Sequence, residues 1–132
     1  MTTTHDKHYL AFVLDNASRE KLIKQFPPSQ EKVFCHHVTL KFFNVTDDDV
    51  QLWENVNKAY VVAYVADSYL EAFVVDLKSN TTREDGGTYH VTHSLDPAHR
   101  KPVDSNRLIK SKEWVKLQTQ ISITGRVQLE LK

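Results

Sequence analysis

The chain has 132 residues, 17 basic and 17 acidic side chains and no formal net charge. That length suits one domain with one core over residues 1–132, and the charge balance excludes a strongly cationic protein built to coat duplex DNA, while leaving room for the local positive patch that a small phosphate ligand needs. A single cysteine, Cys35, excludes an intramolecular disulfide. No Cys/His spacing reads as a zinc site, and there is neither a signal core nor an apolar run long enough for a bilayer. The expectation is therefore a soluble, cytoplasmic protein with no metal or other cofactor and no membrane partner; nothing in the sequence sets its oligomeric state.

His8–Leu14 is predicted as a first strand. Asp15–Phe26 is predicted as a helix with Asn16 or Ser18 as its cap, an apolar stripe of Leu22, Ile23 and Phe26, and Pro27-Pro28 as its stop. Lys32–Phe43 reads as one strand. Thr46-Asp47-Asp48-Asp49 has the form of a capping box, opening a helix to about Lys58 that buries Val50, Trp53 and Val56. Tyr60–Ala66 and Tyr69–Leu77 read as strands joined at Asp67-Ser68. Lys78–Gly87, ending in Asp85-Gly86-Gly87, is a loop, with the glycines as a plain turn or the hinge of a lid. Thr88–Leu95 is a strand and Asp96–Asp104 a second loop. Ser105 is expected to cap a short helix through Trp114, and Gln118–Leu131 forms one long strand or a hairpin, with Gly125 as bulge or turn.

One short word occurs twice on these strands, His37-Val38-Thr39 and His90-Val91-Thr92. Side chains alternate along a strand, so each copy presents an imidazole and a hydroxyl on one face. By that count Val33, Cys35, His37, Thr39 and Lys41 share a face, and Phe34, His36, Val38, Leu40 and Phe42 form the core side. Thr88, His90, Thr92 and Ser94 face the cleft, while Tyr89, Val91, His93 and Leu95 pack inward. His36 and His93 are thus structural, Cys35 reads as a buried inert thiol, and His5, His8 and His99 as solvated.

Cleaving a phosphodiester requires that the attacking oxygen lose a proton, that the leaving oxygen gain one, and that the charge on the phosphoryl oxygens be held. Histidine, with an ordinary pKa near ~6.5, does either proton transfer at neutral pH, and threonine hydroxyls donate to phosphoryl oxygens. His37, Thr39, His90 and Thr92 are accordingly the candidate catalytic residues. Tyr9 lines the cleft or belongs to the core or rim. Lys41, on the His37 face, and Lys101 and Arg100, in the second loop, are candidate phosphate ligands. Trp53 and Trp114 fall on helical stripes and read as core, and Asp47, Asp48 and Asp49 as a helix start and not a metal site.

These residues resemble the 2H phosphoesterase superfamily, whose mark is a pair of His-x-Thr/Ser motifs, each followed by an apolar residue. His37-Val38-Thr39-Leu40 matches in full; His90-Val91-Thr92-His93 departs at its last position. Lys101-Pro102-Val103-Asp104-Ser105-Asn106 is similar to a segment that follows the second motif in the cyclic phosphodiesterase domains of tRNA ligases. The resemblance implies an α+β, two-lobed fold in which two antiparallel sheets flank a central cleft with helices outside. It also implies metal-independent hydrolysis of nucleotide 2′ or 3′ phosphodiester bonds, on an RNA 2′,3′-cyclic phosphate end or a cyclic oligonucleotide signal, and the small size is compatible with phage enzymes that destroy such antiviral signals. The rival readings are a module that sequesters a nucleotide without cleaving it, and a structural protein whose motifs are coincidental.

Overall fold

The computed structural model describes residues 3–132. In chain order the elements are β1 (His8–Leu14), α1 (Asn16–Gln25), β2 (Lys32–Val33), β3 (His37–Lys41), α2 (Asp47–Trp53), β4 (Lys58–Ala66), β5 (Leu70–Asp76), β6 (His90–Leu95), α3 (Asp104–Ser111) and β7 (Val115–Leu131). The strands form a single antiparallel sheet in the order β2-β6-β5-β4-β7-β1-β3, curled into a half-barrel.

The two-lobed arrangement of separate sheets around a cleft is therefore corrected. The physical reason is β7, which is one uninterrupted strand and not a hairpin. Its first part pairs with β4, from Val115 opposite Tyr64 to Thr124 opposite Lys58. Its last part pairs with β1, from Gly125 opposite Leu14 to Leu131 opposite His8. One strand thus belongs to both halves and makes them continuous. The handover falls at Gly125, whose N–H donates to the Asn57 carbonyl at 3.1 Å. A Cβ there would lie 2.0 Å from the Val13 carbonyl oxygen, so only glycine lets the strands meet.

The expected strand Lys32–Phe43 is broken in two. Phe34 and Cys35 donate their N–H groups to the carbonyls of His93 and Thr92 on β6, at 2.8 and 2.9 Å. Cys35 then takes a left-handed φ of 46°, which costs a non-glycine residue about 1–2 kcal/mol, and the chain crosses to pair β3 with β1. The break shifts the alternation by one residue. Cys35 is buried, as expected of an inert thiol, but on the core side with Val38 and Leu40 and not on the His37 face; His36, expected on the core side, is exposed, while His37, Thr39 and Lys41 stay half-buried. Burial pushes the Cys35 thiol up to about 11, which leaves it unreactive at neutral pH. The crossing segment spans the curl, so β3 and β6 lie alongside each other although neither pairs with the other.

The sheet buries apolar residues on both faces of β5, where Leu70 through Val75 are all buried. Phe73 and Val75 pack with Leu10, Phe12, Val38, Leu40 and Ile123. Ala72 and Val74 pack with Val65, Leu95 and, from α3, Leu108 and Ile109. The helix ends differ from expectation in three places. Asp15, and neither Asn16 nor Ser18, caps α1: its carboxylate accepts from Ser18 N–H at 2.8 Å. The Thr46/Asp49 capping box is present, but α2 ends at Trp53, and Lys58 already belongs to β4. The helix α3 begins at Asp104 with no side-chain cap and stops short of Trp114.

Candidate active site

His90 opens β6, and its Nδ1 lies 2.7 Å from the Thr88 carbonyl oxygen. A carbonyl can only accept, so Nδ1 carries the proton and Nε2 holds the lone pair of the neutral ring. Burial lowers its pKa below 6.5; the bond to Thr88 opposes this, and the nearby Arg83 guanidinium adds to it. His37 opens β3. Its Nε2 lies 3.4 Å from Tyr9 Oη, and its Nδ1 is 3.0 Å from Nδ1 of His36, so one of those two rings supplies the N–H and the other the lone pair. Its pKa is lowered to about 4, by burial first and then by the charge on His36; Glu130 opposes, and the charge His90 would carry lowers it further. Both rings are therefore mainly neutral in the free protein at pH 7.

The threonines differ. The Thr39 hydroxyl makes no hydrogen bond to protein among the described residues. Thr92 Oγ1 lies 2.8 Å from Oγ of Ser105, which is fully buried at the start of α3. Ser105 is thus not the expected cap; it fastens α3 to the second motif. Tyr9, on β1, stacks against Phe42 with ring centroids 5.3 Å apart, and burial raises its hydroxyl's pKa.

Of the expected phosphate ligands, Lys41 lies on the His37 side of β3 but is committed to carboxylates, Asp49 at 3.0 Å and Glu84 at 3.5 Å. Lys101 lies in the exposed turn before α3, where its N–H donates to Asp104 at 2.8 Å. Arg100 pairs with Asp67 at 3.1 Å. Ser94, expected to face the cleft, is fully buried and donates to Glu71 at 2.5 Å. The cause is a bulge at His93, which leaves Thr92 opposite Ala72 and Ser94 opposite Glu71. His93 is buried as expected, its Nε2 donating to the Phe26 carbonyl at 2.7 Å.

Two neighbours of the histidines escaped the sequence reading. Alternation puts His36 on the face opposite His37, but the break at Cys35 brings its Nδ1 to 3.0 Å from His37 Nδ1. Arg83 comes from the loop before β6. Its Nε donates to Asp85 at 2.9 Å, and Nη2 lies 3.5 Å from Asn106 Oδ1. A Cβ on Gly87 would sit 2.7 Å from that guanidinium, so the glycine makes room for it. The loop is a closed turn, with Arg83 N–H donating to Gly87 O at 2.8 Å and Gly86 N–H to Arg83 O at 2.9 Å. Beside His90 it borders a groove of 1090 Å³ that runs along α3 to the start of β7. Trp114 packs against the core cluster that holds Leu108 and Ile109, as expected, and its half-buried ring also lines this groove, with its Nε1–H donating to Ile109 O at 3.0 Å.

No protein-family model, curated protein or solved structure matches the chain. Among the described residues no three His, Cys, Asp or Glu side chains gather where they would hold a metal ion, and no helix is long and apolar enough to cross a membrane.

Proposed function

We propose that this chain is a phosphodiesterase of the 2H type, hydrolysing nucleotide 2′ or 3′ phosphodiester bonds in the cytoplasm, on an RNA 2′,3′-cyclic phosphate end or a cyclic oligonucleotide. The observation that supports this reading is the pairing of two His-x-Thr strands: β3 and β6 lie alongside each other, each with its histidine and threonine on the side away from the buried valine. The reading rests on those motifs and the 101–106 segment, and not on a two-lobed architecture.

In the reaction one imidazole takes a proton from the attacking water as its oxygen bonds to phosphorus. The other gives a proton to the leaving oxygen as the old P–O bond breaks. Well-placed general acid–base groups contribute about 10²–10⁴-fold each. Thr39, with its hydroxyl uncommitted, and Thr92, if it receives its hydrogen bond from Ser105, donate to the non-bridging oxygens. A phosphodiester anion between the rings raises both pKa values, and so supplies the protonated partner that the free protein lacks at pH 7.

The test is incubation with EDTA and a panel of 2′,3′-cyclic nucleotides, 2′,5′-linked oligonucleotides and cyclic di- and trinucleotides, with products identified by mass spectrometry. We expect one class to be hydrolysed. The kcat/KM profile reports the free enzyme, so with both imidazoles depressed it should be bell-shaped with its maximum below pH 6.5. Abolition of turnover by EDTA would contradict the reading. The rival reading is a module that holds a nucleotide intact, and recovery of uncleaved ligand by chromatography after long incubation would establish it.

A further inference from the structure

The groove beside His90 is larger than one phosphate requires. Sites for small ligands run to about 300–1,000 Å³, and this one has 1090 Å³. Its charge is also out of keeping with a chain of zero net charge. Four cations line it, Arg83, Lys110, Lys112 and Lys116, against two acids, Asp85 and Glu113. Asp85 is spent on Arg83. Lys110 and Lys116 are exposed and make no ion pair among the described residues, and Lys112, whose ammonium donates to the Ala66 carbonyl at 2.6 Å, makes none either. The half-buried Trp114 indole stands in the same wall.

Ammonium groups without carboxylate partners that share one groove with an aromatic ring are what a single-stranded nucleic acid recognises: phosphates take the cations and a base stacks on the ring. We propose that this groove is a strand-binding tract, in which Lys110, Lys112 and Lys116 hold successive phosphates of a linear single-stranded RNA and Trp114 stacks one of its bases, leading the strand's end to His90. The proposal rests on the phosphodiesterase reading and narrows its substrate to an oligonucleotide several residues long. Each phosphate held releases counterions, so affinity falls with salt at a log–log slope of about −0.7 per contact for a single strand.

The test is fluorescence anisotropy with a 5′-fluorescein hexauridylate bearing a 3′-phosphate, and competition by uridine 3′-phosphate. The hexamer should bind at least about tenfold more tightly than the mononucleotide, through its extra stacking and phosphate contacts. Three lysine contacts predict a loss of roughly eighteenfold in affinity between 50 and 200 mM salt. The variant Lys110→Gln/Lys116→Gln should flatten that slope by about 1.4 and erase most of the length preference. Because both side chains are exposed, an unchanged circular dichroism spectrum is expected. Equal binding of hexamer and mononucleotide, an unaltered slope in the variant, or tighter binding of a cyclic trinucleotide than of the hexamer would each overturn the proposal. The two readings fail separately. Tight, salt-sensitive hexamer binding with turnover indifferent to His37 and His90 would remove the enzyme and leave the tract. Histidine-dependent turnover with no effect of length would remove the tract alone.

Discussion

Replacing His90 with alanine should lower phosphodiester turnover about 100- to 10,000-fold, the contribution of one well-placed proton donor or acceptor. His90 is held by a bond from Nδ1–H to the Thr88 carbonyl, which leaves Nε2 for the substrate in a defined orientation. Alanine removes that nitrogen and leaves the contacts to phosphoryl oxygens proposed for the threonines. His37→Ala should cost a comparable factor. The double variant should fall little below the poorer single one, because two groups that serve one transition state do not add. The check is single-turnover hydrolysis in EDTA of whichever substrate the panel identifies, with thermal melting to show that each variant is folded. Near wild-type rates in both single variants would dispose of the proposed mechanism.

Gly125→Ala should destabilise the fold by about 3 kcal/mol or more, at the upper end of what overpacking costs, because the obstacle is backbone and cannot rotate away. The added Cβ would meet the Val13 carbonyl oxygen at 2.0 Å and the Leu14 Cα at 3.1 Å. Relief requires parting β1 from β7 where the strand changes partners, and β3 hangs on β1. Tyr9 and His37 would move with them, so residual activity should fall further than the folded fraction does. Against a total stability of roughly 5–15 kcal/mol, urea unfolding should show a large drop in midpoint. A midpoint within error of the wild type would mean that the strands do not hand over at Gly125.

Where signals were local, they were legible. The bounds of β1 follow from seven residues of strand-forming sequence before Asp15, and the Thr46/Asp49 box marks a helix start that the hydrogen bonds reproduce. The β4–β5 hairpin follows from Asp67-Ser68, where Tyr69 N–H donates to the Asp67 carboxylate at 2.8 Å. What depended on distant partners was not legible. The run from Lys32 to Phe43 looks like one strand because every residue in it suits a strand. It breaks because its first part pairs with β6 and its second with β1, and nothing in Cys35 announces a left-handed backbone. That one break exchanged the placements of Cys35 and His36, and so hid the neighbour that bears on the pKa of His37. Ser105 reads as a cap because serine is a good one, yet the Thr92 hydroxyl on another element is its partner. Whether 118–131 was a strand or a hairpin decides between one sheet and two, and only the pairing of β7 with both β4 and β1 answers it.

The central claim is that two imidazoles share one phosphate, and histidine-resolved NMR titration tests it most directly. In the free protein His37 should titrate near pH 4, and His90 below 6.5. With saturating uridine 3′-phosphate both pKa values should rise together, since the anion favours the charged form of each ring it touches. If the nucleotide binds and either ring keeps its free titration curve, the two histidines do not serve one site.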